Sequence, residues 1–568
     1  MERPGISLRV WALFAVLTIV ATYPLPFRLG THLLGTGPDP NLYIWTLGWN
    51  AYAFLHQPLA IFDANIFHPF RHTLAYSENL IGDALLVAPW IWATGDLVSA
   101  SNLVQLASIL LSGVGACLLG RRLGLSTPAA VVVGLIYAFT PARLLRMPQV
   151  HVTSIHWIPW CLAYLHAYVA PGGRPRDLRL AIAFFALQAI TSGHGVVFLV
   201  VAVLIVLAWR LTVGDPPAPL RRLRDCGWPG AAAIAIALLC FLPYRAARAD
   251  VGSLTRTYET EGLSFSSYLS SPSRFYDWLW PHLPSSWTTP APEASLFPGV
   301  VPMLLALVGI LGVAAFATRA NDSPSAQRHL DNPVVVWTAI LVVSVWFVIG
   351  PPYGLWRWTY SLPVFSFMRV PTRFVLLEIL ALAVLSGFGV EWLRRRAAAS
   401  TARALTIAAL ALFAVESLAA PLPTEAFTLP MTSADRWLAT RPRPFAIAEV
   451  PVADSLLHDT QAVWETRYML HATAHWQPTV HGYSGVDPDA HHALIRTLVN
   501  FPDEASLVAL SAVGVTYVVV HPKLYEPAQL ADVEARLARF GDRLKLQYAG
   551  ADGKVYALAG TDGRGDGN

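Results

Sequence analysis

Long apolar runs, separated by short basic turns, fill the first three-quarters of the chain. Runs at 7–27, 97–120, 128–142, 156–169, 178–191, 196–211, 229–243, 298–317, 333–349, 374–393 and 405–420 carry few charges, and each predicts a membrane-spanning helix. Several are short for a hydrocarbon layer of about 30 Å, so tilts and breaks at Pro and Gly are expected. The first run follows Arg3 and Arg9 and has no small-x-small cleavage site behind it, so it reads as an uncleaved span. A shorter apolar run at 79–93 contains Asp83 and Pro89 and suits an interfacial helix better than a span.

Charge decides that last point. With 79–93 on the outer surface, Arg121-Arg122, Arg174/Arg176/Arg179, Arg210 with Arg221/Arg222/Arg224, Arg319/Arg328 and Arg394-Arg395-Arg396 all fall inside. Were it a span, every one of those clusters would invert, against the positive-inside rule. The reading is about eleven spans in a bacterial inner membrane, N-terminus cytoplasmic and C-terminus extracytoplasmic. Long loops at 28–96 and 244–297 then lie outside.

Beyond residue 420 the pattern changes to strand-length apolar runs and amphipathic segments. Residues 446–452, 515–522 and 554–559 predict strands, and 489–499, 503–512 and 528–540 predict helices. The expected organisation is a transmembrane domain at 1–420, a small extracytoplasmic α/β domain at 421–560, and a Gly/Asp-rich disordered tail at 561–568. The α/β domain holds His458, His471, His475, His481, His491 and His492, read as a surface of hydrogen-bonding histidines. His471 and His475 stand at a spacing metals use, yet no HExxH pattern accompanies them.

Composition agrees with the pattern. Of 568 residues, 55% are hydrophobic and 13% charged, against about 25% charged in a soluble protein. The net charge of +4 gives no reason to expect a nucleic-acid partner, because the arginines sit in short loops. Cys117, Cys161, Cys226 and Cys240 have no metal-binding spacing. Walker, GxSxG and strand-placed Rossmann signatures are missing, so ATPase, hydrolase and dehydrogenase readings find no support.

The candidate chemistry gathers in the first outer loop, where 34–92 places Asp39, Asp63, His68, Arg71, His72, Glu78 and Asp83 beside a span. A charged side chain at the bilayer centre costs roughly 2.5–3.5 kcal/mol, so charges kept next to lipid point to function. Aromatics at Tyr43, Trp45, Trp49, Tyr52 and Phe54 suit an interfacial helix over 41–55. Two arginines of the 351–373 loop, Arg369 and Arg373, stand outside against the topological bias and share a helical face. Guanidinium pairs grip phosphate through bidentate forks, while snorkelling to headgroups is the plainer alternative. Acids and arginines on an outer membrane face suit a substrate with a phosphate and a lipid end, a carboxylate acting as base and arginine or a metal stabilising the leaving phosphate.

The residues GPDPNLYIW, SENLIGDALL and CLLGRRLGLSTPAAVVVGLIYAFTPAR, in that layout, resemble the GT-C membrane glycosyltransferases. The likeness is to uncharacterised bacterial members and, more distantly, to protein mannosyltransferases and aminoarabinose transferases. It covers the first third by motif and the whole chain by topology. The resemblance implies a mainly α, GT-C-like bundle with outer interfacial helices. It also implies sugar transfer, with inversion, from a polyprenyl-phosphate donor to a glycan, lipid or protein acceptor at the outer face. Asp39 takes the place of the catalytic acid. Glu78 matches an acid used near metal or phosphate, and Arg71, Asn79, His194, Arg369 and Arg373 are expected at the substrate.

The family's further acid after the third span is missing. That region reads RLLRMPQVHVTSIHW, so His151 with Glu78 would have to ligate a divalent Mg or Mn ion, or the enzyme is metal-independent. Alternative readings stay open: Asp39 as a helix cap, Glu78 as a partner of Arg71, and His194 as a helix end. The rival functions are a lipid or glycolipid transporter and an inactive scaffold for envelope glycan assembly. The inner halves of the spans are almost wholly apolar, which disfavours a transport path.

Overall fold

The structure is a computed structural model and describes residues 5–213, 219–251, 265–276, 282, 295–317, 331–362, 365, 368, 370–453 and 458–559. Arg319, Arg328, Arg369, the 561–568 tail and positions 252–264, 277–281 and 283–294 of the long loop lie outside the described residues. The fold is mainly helical and divides into two compact units. One comprises Met1–Arg28, Asn102–Leu239 and Thr255–Thr424, the other Leu29–Ser101, Cys240–Leu254 and Glu425–Asn568.

The first unit is a helix bundle. Five described helices are long and apolar enough to cross a membrane: Leu97–Arg122, Gly193–Val213, Arg224–Val251, Pro371–Arg396 and Ala399–Glu416. Shorter apolar helices include Leu8–Ala21, Thr127–Phe139, Val300–Gly312 and Pro333–Val348. Pro371–Arg396 is the hub, buried along nearly its whole length. It lies against Val300–Ala317 at Gly309 and Gly389, where an added Cβ would strike the backbone carbonyl of Leu385 or Leu305. Phe14 fits the notch left by Gly113 and Gly134 in the same way. Lipid supplies no hydrophobic drive between helices, so close backbone approach at small residues has to supply the attraction.

Several boundaries differ from expectation: the first helix ends at Ala21 and the last of the bundle begins at Ala399. The run expected at 128–142 ends at Phe139, because Pro141 starts a separate short helix, Pro141–Leu144. The run expected at 229–243 continues as helix to Val251, taking in the first residues assigned to the long loop.

The second unit contains a four-stranded sheet in the order Ile447–Val450, Tyr517–Val520, Lys554–Leu558, Leu544–Ala549. The first pair is parallel and the others antiparallel. Helices Asp489–Leu498, Glu504–Ala512 and Pro527–Arg539 stand where the periodicity placed them. Val518, Val520, Ile495, Leu507, Leu510, Val533 and Leu537 share its apolar core.

This unit also holds the opening loop. The Phe67 N–H donates to His481 O (3.0 Å), the His68 N–H to Thr479 O (2.9 Å) and the Thr479 N–H to Asn65 O (2.8 Å). Thr479 in turn bridges Ile447. Helix Pro38–His56 is buried on every side from Leu42 to Ala51, with Trp476 and Leu97 closing over Gly48. Of its aromatics, Tyr43, Trp45 and Trp49 are core, while Tyr52 is partly buried under Trp476, which stacks on it at 5.3 Å. Helix Ile81–Thr94 keeps an exposed apolar face, with Leu85, Leu86, Trp90 and Trp92 outward and Asp83, Ala84 and Val87 inward. At 14 residues it is about 21 Å long, too short for the hydrocarbon layer.

Candidate functional site

Asp39 stands in the first turn of helix Pro38–His56. Gly37, at φ 128°, makes the sharp entry that a side chain would oppose, and Pro38 sets the first helical φ. An anion there faces the positive end of the helix dipole. The side chain is half-buried, and Tyr483 Oη donates to its Oδ1 at 3.0 Å. The cap position belongs to Gly37, so Asp39 does not serve as the helix cap.

Glu78 and Asn79 are buried just before helix Ile81–Thr94. Asn79 Oδ1 accepts from the Ile81 N–H (3.0 Å), and its Nδ2 donates to Tyr244 Oη (3.2 Å). Asn50 Nδ2 donates to Asn79 O at 2.7 Å. Leu80 turns the chain at φ 49°, a left-handed conformation that costs a β-carbon residue on the order of 1–2 kcal/mol. Asn50 lies eleven residues along the helix from Asp39, so the Glu78 segment meets that helix about 16 Å from the Asp39 turn. The two acids flank one helix rather than touching. Arg71 is drawn elsewhere: it pairs with Asp63 at 2.9 Å with its side chain 78% exposed, and it does not pair with Glu78.

In the first unit, His151, His194 and Arg373 come together. The His151 and His194 rings meet edge to face at 5.0 Å, and Arg373 Nη1 lies 2.8 Å from His194 Nε2. Guanidinium only donates, so His194 presents an unprotonated Nε2 to it. These side chains come from the short helix Val150–Thr153, the Ser192-Gly193 break and the turn Pro371–Phe374. Helix ends break here for local reasons, Ser192 Oγ capping the Gly195 N–H at 3.1 Å.

Beside this cluster are two arginines that the sequence reading passed over. Arg143 and Arg146 are both fully buried. Arg143 Nη2 donates to Ser112 Oγ at 2.7 Å, its Nη1 donates to Tyr137 O, and the Tyr137 ring lies under its guanidinium. Among the described residues no carboxylate appears in its hydrogen bonds, so a buried positive charge is held by neutral groups alone. The signal was present in RLLRMP, two arginines three apart after Pro141. A separate cavity of about 580 Å³ is lined by Leu165, Tyr168, Phe185, Leu207, Arg210 and Asp225, among others, and shares no residue with this cluster.

Four of the C-terminal histidines lie inside the fold. His471, His475, His481 and His491 are all buried, a correction that follows from two buried carboxylates. Glu465 Oε2 accepts from the Gly482 N–H (2.9 Å) and His481 Nδ1 (3.1 Å), while His481 Nε2 accepts from the Glu449 N–H (2.8 Å). Glu449 Oε2 lies 2.7 Å from both His471 Nδ1 and His521 Nε2. Burial raises the Glu449 carboxyl, but these two histidines outweigh it and hold it below the usual range. Burial pushes Asp435 up to about 6, and pushes His475 and His491 down to about 4.

No protein-family model and no curated protein matches the sequence. Among solved structures, the arabinofuranosyltransferase AftD from Mycobacteria superposes with a TM-score of 0.56 at 15% identity over 98% of this chain. The chain spans 42% of that protein's length. The Archaeoglobus fulgidus oligosaccharyltransferase aligns over 98% of this chain and 74% of its own, at 14% identity and a TM-score of 0.47. The fold of this chain is similar to that of the arabinofuranosyltransferase AftD.

Proposed function

We propose that the protein is an inverting glycosyltransferase, using a polyprenyl-phosphate sugar at the outer face of a bacterial inner membrane. The proposed topology has about eleven spans with a cytoplasmic N-terminus. The observation that carries the reading is the cluster of His151, His194 and Arg373 beside buried Arg143, in a chain of GT-C fold. Positive and hydrogen-bond-donating groups held at a helix break in an apolar bundle suit a phosphate anion. Arg369 is proposed to act with Arg373 in that role. His151, whose neighbours are His194 and through it a guanidinium, suits the phosphate better than a divalent cation.

Asp39 is the proposed base. It would take the proton from the acceptor hydroxyl as that oxygen attacks the anomeric carbon and the carbon–oxygen bond to phosphate breaks. The electron pair leaves on the phosphate oxygen, where positive and hydrogen-bond-donating groups stabilise it. Tyr483 orients the Asp39 carboxylate, and Glu78 and Asn79 shape the adjoining turn. A sugar moved onto a glycan, lipid or protein acceptor fits this chemistry.

The test is transfer in membranes supplied with polyprenyl-phosphate sugars. Asp39→Asn should lower turnover by at least about 10³-fold, a proton acceptor being lost. Arg373→Ala should weaken donor use while leaving the protein folded. Full transfer by Asp39→Asn would sink the assignment.

A further inference from the structure

Around Glu449 the hydrogen bonds do not close on themselves. His521 Nδ1 lies 3.2 Å from the Asp552 carbonyl, which can only accept, so Nδ1 carries the proton. The other nitrogen, Nε2, then faces Glu449 Oε2 at 2.7 Å, and His471 Nδ1 faces the same oxygen at the same distance. Two acceptor atoms that close repel unless a second proton or a cation joins them. Glu449 Oε1 and Asp435 Oδ1 are buried and accept no hydrogen bond among the described residues. Asp435 Oδ2 is 4.0 Å from His471 Nδ1. The neighbouring network is different: both nitrogens of His481 and the Glu465 oxygen facing it have partners.

We propose that Glu449, His471 and His521 bind one divalent transition-metal ion, of the zinc class, inside the C-terminal sheet. Their donor atoms lie within 4.8 Å of one another. Metal bonds of about 2.0–2.1 Å separate neighbouring tetrahedral donors by about 3.3 Å, so each histidine moves by roughly half an ångström. Two neutral imidazoles with the carboxylates of Glu449 and Asp435 balance a charge of two. Mixed nitrogen and oxygen donors favour zinc over magnesium or calcium, which take oxygen. The Asp552 carbonyl holds His521 in the tautomer that offers Nε2, as outer partners of metal ligands do. Glu449 lies on strand Ile447–Val450, His521 follows strand Tyr517–Val520, and His471 ends helix His458–His471. An ion there ties together segments 22 and 72 residues apart, so its binding adds to folding stability.

The experiment loads the full-length chain in detergent with zinc, desalts it, and counts metal by mass spectrometry. About one zinc per chain is expected, with a melting temperature that falls on chelation and recovers on zinc addition. Glu449→Gln and His521→Gln should cut retention at least tenfold. His492→Gln, at a partly exposed histidine outside the cluster, should keep it. If those core variants fail to fold, cobalt substitution in the wild-type chain decides, by the visible absorption of a nitrogen- and oxygen-bound ion. Wild-type protein that retains no zinc and melts identically with and without chelator would overturn the proposal.

Discussion

Tyr483 reaches Asp39 across 444 positions of sequence, and no local pattern announces it. Asp39 itself was legible, because Gly-Pro-Asp-Pro is a helix-start signal set in an otherwise apolar stretch. A hydrogen bond to a charged group contributes about 1.5–3 kcal/mol. Tyr483→Phe is thus expected to slow transfer roughly 10–100-fold, with donor KM little changed and a shifted pH–rate profile. A fall in donor affinity alone would remove Tyr483 from the positioning role. At Arg373, lysine keeps the charge but loses the planar fork that meets His194. Arg373→Lys should therefore raise donor KM measurably, and an unchanged KM would show that charge alone suffices. The buried Arg143 and Arg146 were visible as letters, but nothing in a hydropathy pattern distinguishes an arginine in a turn from one enclosed by Ser112 and Tyr137.

Elements were read well where periodicity was strong and poorly where it was not. Helices Asp489–Leu498 and Pro527–Arg539 matched their amphipathic segments closely. Strand Leu544–Ala549 was missed because it is an edge strand, largely exposed, with Lys545 and Gln547 interrupting the apolar run. Helix His458–His471 was missed as well, since its sequence is polar and its stability comes from tertiary burial of Tyr468 and Met469. Among the bundle helices, the Gly309–Gly389 contact admits no side chain. Gly389→Leu should force Val300–Ala317 and Pro371–Arg396 apart and destabilise the bundle by about 1–3 kcal/mol, read as a lower melting temperature in detergent. Equal melting of variant and wild type would mean that the two helices do not need that approach.

For the whole molecule, acid stability is a direct readout of the buried histidines. His491, enclosed beside Phe67, has a folded value of about 4 against about 6.5 when unfolded. Below 6.5 the unfolded chain takes up the proton first, so stability falls as pH drops from about 6.5 to 4 and the loss levels off beneath. His491→Asn should flatten that slope by up to about 3 kcal/mol, measured as melting temperature against pH; an unaltered slope would place the acid sensitivity elsewhere. The sequence by itself determined the helical membrane class and, beyond residue 420, three of the strands and three of the helices, because burial in lipid or a sheet imposes apolar runs of set length and period. Tertiary structure alone decided that residues 29–101 belong to the unit holding the C-terminal sheet, and that Glu449 meets His471 and His521. Those pairings join backbone and side-chain groups far apart in the chain, where each residue's own type carries no record of its partner.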